Sequence, residues 1–197
     1  MPDLILASHS PRRRELLTQI GVEFDSHGVD IDESVKPQED PFHYVERLAL
    51  EKAEACYSQL TGDKLVMGSD TTVVVDGQIL GKPRDRSHAV EMLMTLSGRS
   101  HQVMTAVALI NAERSWSRVV TTEVFFRTLS VEECQNYWLT GEPQDKAGAY
   151  GIQGLGAVFV ERIVGSYSAV VGLPLAETAT MLKQLDVAVW QRAEINS

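Results

Sequence analysis

The sequence predicts an α/β protein with a mixed sheet and flanking helices, on three observations. Short apolar runs of strand length alternate with segments whose apolar residues recur at helical spacing. Asp76-Gly77 is a strong two-residue hairpin signal, so at least one strand pair is antiparallel. Strand and helix do not alternate strictly, which argues against an all-parallel sheet. A chain of 197 residues suits one compact domain or two small lobes sharing a core.

Residues 4–7, LILA, form the first apolar run, and Ser8 to Ser10 break it. Pro11 suits the first turn of a helix, with Ser10 as N-cap before it and Gly21 as the stop after it. Leu16, Leu17 and Ile20 give that helix its apolar face. Residues 23–27 read as a short strand, and residues 29–40, VDIDESVKPQED, as an acidic loop. Asp40 caps a helix over 41–60, where Val45, Leu48, Ala49, Ala53 and Cys56 recur at helical spacing. Residues 65–69 and 72–75 read as strand, turned back by Asp76-Gly77 into 78–80. A helix over 87–96 places Ala89, Val90, Leu93 and Met94 inward, and Gly98 ends it. Residues 101–110 and 116–126 are two long strands. Ser130 and Glu133 form a capping box for a helix over 131–139, with Gly141 and Pro143 beyond it. Residues 147–156, AGAYGIQGLG, are glycine-rich. A strand over 158–164, a last helix over 174–185 and a polar tail expected to fray after Trp190 complete the chain.

Hydrophobic residues make up 44% and charged residues 23%, as in a soluble globular protein. The formal net charge of −9 argues against a broad nucleic-acid or anionic-membrane footprint, so no nucleic-acid and no membrane partner is expected. A site for a polyanion must then be a local basic pocket in an acidic protein. No basic segment leads into an apolar signal, and no apolar run approaches the ~20 residues of a membrane span. Cys56 and Cys134, only two and far apart, read as free thiols of a cytoplasmic protein. The histidines are scattered and form no metal-ligand spacing. GQILGK lacks a residue between its glycines for a phosphate loop, and Pro83 stands where Ser or Thr is needed. The G-x-x-G-x-G spacing in 151–156 reverses the dinucleotide fingerprint and lies outside a strand–turn–helix unit.

Three features carry chemistry. Arg12, Arg13 and Arg14 crowd the first turn of a helix, where the dipole disfavours cations unless an anion binds. They read as a phosphate cradle or, more plainly, as a solvated face. Lys52 lies on the apolar stripe of its helix, so it either snorkels or reaches a buried anion. Asp70 interrupts an apolar strand, where a carboxylate needs a cation, a metal or backbone N–H groups.

Taken together, LILASHSPRRRELL, Glu33 in VDIDES, LALEKA around Lys52, GSDTTV around Asp70, GKPRD around Lys82, HQVMTAVAL, DKAGAYGIQG and VVGLPLAET resemble the Maf family of nucleoside triphosphate pyrophosphatases. The resemblance covers nearly the whole chain and implies a single Maf-like domain over 1–197. It implies the fold of inosine triphosphate pyrophosphatases (Maf/Ham1), a mixed sheet with flanking helices and two lobes around a central cleft, homodimeric in many members. The implied substrate is a nucleoside triphosphate, hydrolysed to the monophosphate and pyrophosphate. Arg12, Thr71 and Gln153 resemble the branch acting on dTTP and UTP rather than on 7-methyl-GTP. Ser8, Arg12, Arg13, Lys52 and Lys82 would hold phosphate. Glu33 and Asp70 would bind a divalent cation, Mg²⁺ or Mn²⁺. Asp70 is either the general base or a metal ligand only. The alternative reading is a nucleotide-binding regulator of septum formation and cell division without significant turnover.

Overall fold

The computed structural model describes residues 4–191. Leu4–Leu6 (β1) is buried throughout and lies parallel to both Asp25–Ser26 (β2) and Leu65–Val75 (β3). Parallel neighbours need crossovers. Pro11–Gln19 (α1) supplies the first and Pro41–Tyr57 (α2) follows β2 and leads into β3. Gln78–Leu80 (β4) returns antiparallel on β3 through the Asp76-Gly77 turn. Arg86–Leu96 (α3), Ser100–Ile110 (β5), Ser115–Phe126 (β6), Val131–Leu139 (α4), Val160–Val164 (β7), Tyr167–Val171 (α5) and Leu175–Gln184 (α6) complete the order. The sheet runs β2-β1-β3-β5-β6-β7, with β4 beside β3, and is mixed as the sequence predicts. No helix among the described residues is long and apolar enough to cross a membrane.

The chain divides into two compact units. The first comprises residues up to Asp70, Thr105–Val119 and the chain from Gly172 on; the second comprises Thr71–Met104 and Val120–Val171. In the first unit the expected stripe of α2, namely Val45, Leu48, Ala49, Ala53 and Cys56, is wholly buried. Ala53 and Cys56 pack with Ile5, Val66 and Ile110, and Val29 joins them from the start of the acidic loop. The helix lies unusually close to β3. A Cβ at Gly68 would run into the backbone carbonyl of Ala49 and stand 2.9 Å from the Ala53 nitrogen. Only glycine permits that approach.

In the second unit α4 is closed by the predicted capping box between Ser130 and Glu133. Phe126, Tyr137, Tyr150 and Phe159 make a chain of edge and tilted ring contacts. His101 joins it, bonded through Nε2 to the Tyr150 hydroxyl at 2.8 Å. Burial, with Arg99 adding to it, holds the His101 pKa down at about 4.

Several expectations are corrected. Residues 65–75 form one continuous strand through Asp70. The buried face of α3 is Ala89, Met92, Leu93 and Leu96, whereas Met94 is exposed; the period was right and the phase off by one residue. α2 ends at Tyr57, before the expected 60. Three short 3-10 turns, Glu142–Asp145, Ala147–Ala149 and Leu155–Phe159, occupy the stretch before Val160, so β7 starts only there. α5, a single short helix before Gly172, carries too few residues for a legible period. Gln191 does not fray: its N–H donates to the Gly21 carbonyl, and that of Trp190 to Ile20. The rest of the expected frayed tail lies outside the described residues.

Candidate active site

Lys52 resolves its own ambiguity by reaching two anions. Its Nζ lies 2.7 Å from Asp70 Oδ1 and 2.6 Å from Glu33 Oε1. α2 brings the lysine, β3 the aspartate and the acidic loop the glutamate. The Lys52 and Asp70 side chains are each 11% exposed, the Glu33 side chain 44%. Burial pushes the Asp70 carboxyl above its ordinary value, while Lys52 and Arg13 pull against that rise. Asp70 is therefore satisfied by a cation within a regular strand, not by backbone donors at a bulge.

Arg13 supplies a second cation to the same neighbourhood. Burial lowers its pKa, opposed by the charge of Asp70 and more weakly by that of Glu33. Its Nε donates to the Gly172 carbonyl at 2.9 Å, and Nη1 approaches Ser8 Oγ at 3.4 Å. Ser69 Oγ donates to the same Gly172 carbonyl at 3.2 Å. Ser8 Oγ accepts from the Ser10 N–H at 3.1 Å, which fixes the turn between β1 and α1. Ser10 stands at the N-cap of α1 as expected, but its side chain makes no capping hydrogen bond, and the first turn carries no acidic residue. An anion can take the cap's place there. Arg12, half-buried in that turn, stands next to Arg13 and adds repulsion that an anion would relieve.

The acidic loop that carries Glu33 is clamped to α2. Tyr44 donates its hydroxyl to the Glu33 carbonyl at 2.9 Å; burial, with Asp70 and Glu33 nearby, pushes that phenol up to about 12, so it stays a donor. Arg47 grips Glu39 with Nε at 2.5 Å and Nη2 at 2.7 Å, and Nη2 also donates to the Ser34 carbonyl. The hydrogen bonds from Arg47 hold Glu39 down at about 2. Tyr44, Arg47, Ser69 and Gly172 were not legible as site residues. The one available signal was the Gly-Leu-Pro break in VVGLP, placed between two helical segments.

Gly68 stands two residues before Asp70 on β3 and meets α2 at Ala49 and Ala53, on either side of Lys52, so its close contact sets the approach of Lys52 to Asp70. Gly68→Ala is expected to cost about 1–3 kcal/mol, because the clash is with backbone and α2 must shift. Urea denaturation measures this, and an unchanged midpoint would show that the approach is not tight.

Thr71, Lys82 and Gln153 belong to the second unit. Thr71 follows Asp70 directly along β3 and is half-buried. Lys82 and Gln153 are exposed. The glycine-rich segment around Gln153 is pinned by its own unit: Leu155 and Gly156 donate N–H groups to Glu142.

Glu33 and Asp70 form a two-carboxylate set that already converges on one positive charge. Among the described residues no cluster of three or more His, Cys, Asp or Glu side chains exists. A dication held by one or two carboxylates and completed by phosphate oxygens and water fits this set; a wholly protein-caged metal does not.

A family model described as Maf-like protein matches residues 3–185. The dTTP/UTP pyrophosphatase of Hahella chejuensis is 54% identical over 190 residues, covering 95% of this chain and 94% of that one. The dTTP/UTP pyrophosphatase of Pseudoalteromonas translucida is 56% identical, covering 90% of this chain and 94% of its own. Among solved structures, a nucleoside-triphosphatase/dITP/XTP pyrophosphatase from Mycobacterium abscessus aligns over 91% of this chain and 93% of its own, at 20% identity and a TM-score of 0.45.

Proposed function

The chain belongs to the Maf family, and we propose that it is a nucleoside triphosphate pyrophosphatase acting on dTTP and UTP. The observation that carries this reading is the Lys52 ammonium set between Glu33 and Asp70, beside Arg13, in a chain 54% identical to a dTTP/UTP pyrophosphatase. The reaction adds water to the α-phosphorus and breaks its bond to the bridging oxygen, releasing pyrophosphate and the nucleoside monophosphate. The reading includes a single cytoplasmic domain over 1–197, a homodimer, and a role in keeping non-standard pyrimidine nucleotides from incorporation.

A triphosphate brings several negative charges, and positioning with charge stabilisation is the main catalytic contribution available. Arg13 and Ser8 grip phosphate near the uncapped start of α1, with Arg12 beside them. Arginine can hold two phosphate oxygens at once, whereas Lys52 acts as a point charge. Glu33 and Asp70 would hold a divalent cation, Mg²⁺ or Mn²⁺, which when bound supplies charge neutralisation and acidifies water. Asp70, the most buried carboxylate of the cluster, takes the proton of the attacking water; its upward-shifted pKa suits a base. Ligation alone is the rival role for Asp70. Lys82, Thr71 and Gln153 enter by the family motif: Lys82 as a further phosphate cation, Thr71 and Gln153 as readers of the base.

The uracil or thymine edge offers two carbonyls flanking one N–H. A glutamine amide donates to one carbonyl and accepts from the N–H; cytosine fails that orientation and is met in part only by a flipped amide, so CTP is disfavoured rather than excluded. The test is pyrophosphate release from dTTP, UTP, CTP and 7-methyl-GTP with Mg²⁺, in the wild type and in Gln153→Ala. The expected result is a preference for dTTP and UTP that the mutant loses. Binding of dTTP without product would instead favour the non-catalytic regulator, and a preference for 7-methyl-GTP would overturn the base assignment.

A further inference from the structure

We propose that Glu142 is a positioning residue for base selection, closing the segment that bears Gln153 onto one carboxylate. The inference rests on the reading that Gln153 contacts the base. Glu142 heads the 3-10 turn Glu142–Asp145 just after α4. Its Oε2 accepts from the Leu155 N–H at 2.7 Å, and its Oε1 from the Gly156 N–H at 3.0 Å. Oε1 also accepts from the Tyr137 hydroxyl at 2.6 Å, and that hydroxyl accepts from the Gly151 N–H at 3.1 Å. The segment is therefore held at Gly151 on one side and at Leu155 and Gly156 on the other. Gln153 lies between these anchors, with its side chain exposed.

Two glycines of the motif answer to this carboxylate and to its phenol partner. A Cβ at Gly154 would collide with the Glu142 carboxyl group, and one at Gly156 would stand 2.6 Å from the Tyr137 hydroxyl. Those two glycines are thus needed for backbone to close on Glu142, before any ligand is considered. Burial pushes the Glu142 carboxyl up, but the bonds from Tyr137, Leu155 and Gly156 outweigh it and hold the group below its ordinary value. Glu142 is then an anion with an acceptor for each donor. Tyr137 is itself buried, its ring packed edge-on against Phe159 at 4.9 Å.

A glutamine that discriminates two bases must offer its donor and acceptor in a fixed place, since an error of an ångström forfeits the match. An exposed residue cannot be fixed by its own packing. Its backbone must be fixed on either side, and the half-buried Glu142 carboxylate with the buried Tyr137 phenol does so.

The experiment compares kcat and KM for dTTP and CTP in the wild type, Glu142→Gln, Tyr137→Phe and Gln153→Ala, with melting temperatures. Glu142→Gln exchanges an acceptor for an NH₂ group facing N–H donors. Tyr137→Phe keeps the buried ring and removes only the bridging hydroxyl. In both, the dTTP/CTP ratio of kcat/KM is expected to fall by about tenfold through KM, with kcat for dTTP within about threefold. A loop that needs no anchor would leave the ratio within about twofold of wild type in both variants while Gln153→Ala lowers it, and that overturns the inference alone. An unchanged ratio in Gln153→Ala overturns the base reading and this inference with it. Should Glu142→Gln not fold, Tyr137→Phe decides.

Discussion

Asp70→Asn is expected to lower kcat on dTTP by about 10²–10⁴-fold. The substitution keeps the shape of a side chain in a residue only 7% exposed, so packing is preserved. It removes the proton acceptor and the negative charge together. Lys52 retains Glu33 as a partner, and the melting temperature is expected to move by only a few degrees. The two roles of Asp70 separate in a second measurement on the same variant. A base that is not a ligand leaves the Mg²⁺ concentration for half-maximal residual rate unchanged; a ligand raises it. Near-wild-type kcat in Asp70→Asn would remove Asp70 from the chemistry altogether.

Pattern alone made Lys52 and Asp70 legible one by one but not their meeting, and only the family resemblance put Glu33 and Asp70 on one cation. Lys52 betrayed itself by standing among Leu48, Ala49, Ala53 and Cys56 on a stripe that is otherwise buried. Asp70 betrayed itself within the apolar run of β3. That one reaches the other depends on the depth of α2 against β3, which is set by the missing Cβ of Gly68. A glycine inside a strand signals a close approach, but not which backbone approaches. Glu33 lay in an acidic loop with no periodicity, and only the family motif singled it out. The clamps that hold it, Tyr44 and Arg47, look in sequence like ordinary residues of an amphipathic helix. Glu142 was harder still. Between a helix stop and a proline it reads as a turn residue, and its partners at 137, 155 and 156 emerge only when three short 3-10 turns bring them together. Long periodic elements are fixed by local pattern, while hydrogen-bonded irregular segments are fixed by partners that pattern does not name.

Lys52→Met is expected to lower kcat by about 10²–10³-fold, the scale of losing one preorganised charge contact to the transition state. Methionine keeps the length and apolar stem that pack on the helical stripe, so the loss isolates the ammonium. Its removal leaves Asp70 and Glu33 converging with no cation between them. Breaking a buried ion pair by deleting one partner costs about 3–5 kcal/mol. Here the cost falls below that range, because Arg13 still attracts Asp70 and Glu33 is nearly half exposed. Protonation of Asp70 relieves the repulsion further. A dication relieves it more directly, so adding Mg²⁺ without nucleotide is expected to raise the melting temperature of Lys52→Met more than that of the wild type, where the ammonium already occupies the carboxylates. That differential shift separates the roles of the lysine. A lysine that served only to neutralise Asp70 in the fold would give a lower melting temperature, restored by Mg²⁺, together with a kcat close to wild type once the metal is present. A lysine that also meets phosphate leaves kcat depressed at saturating Mg²⁺, because the metal replaces its charge on the carboxylates but not its contact with the substrate.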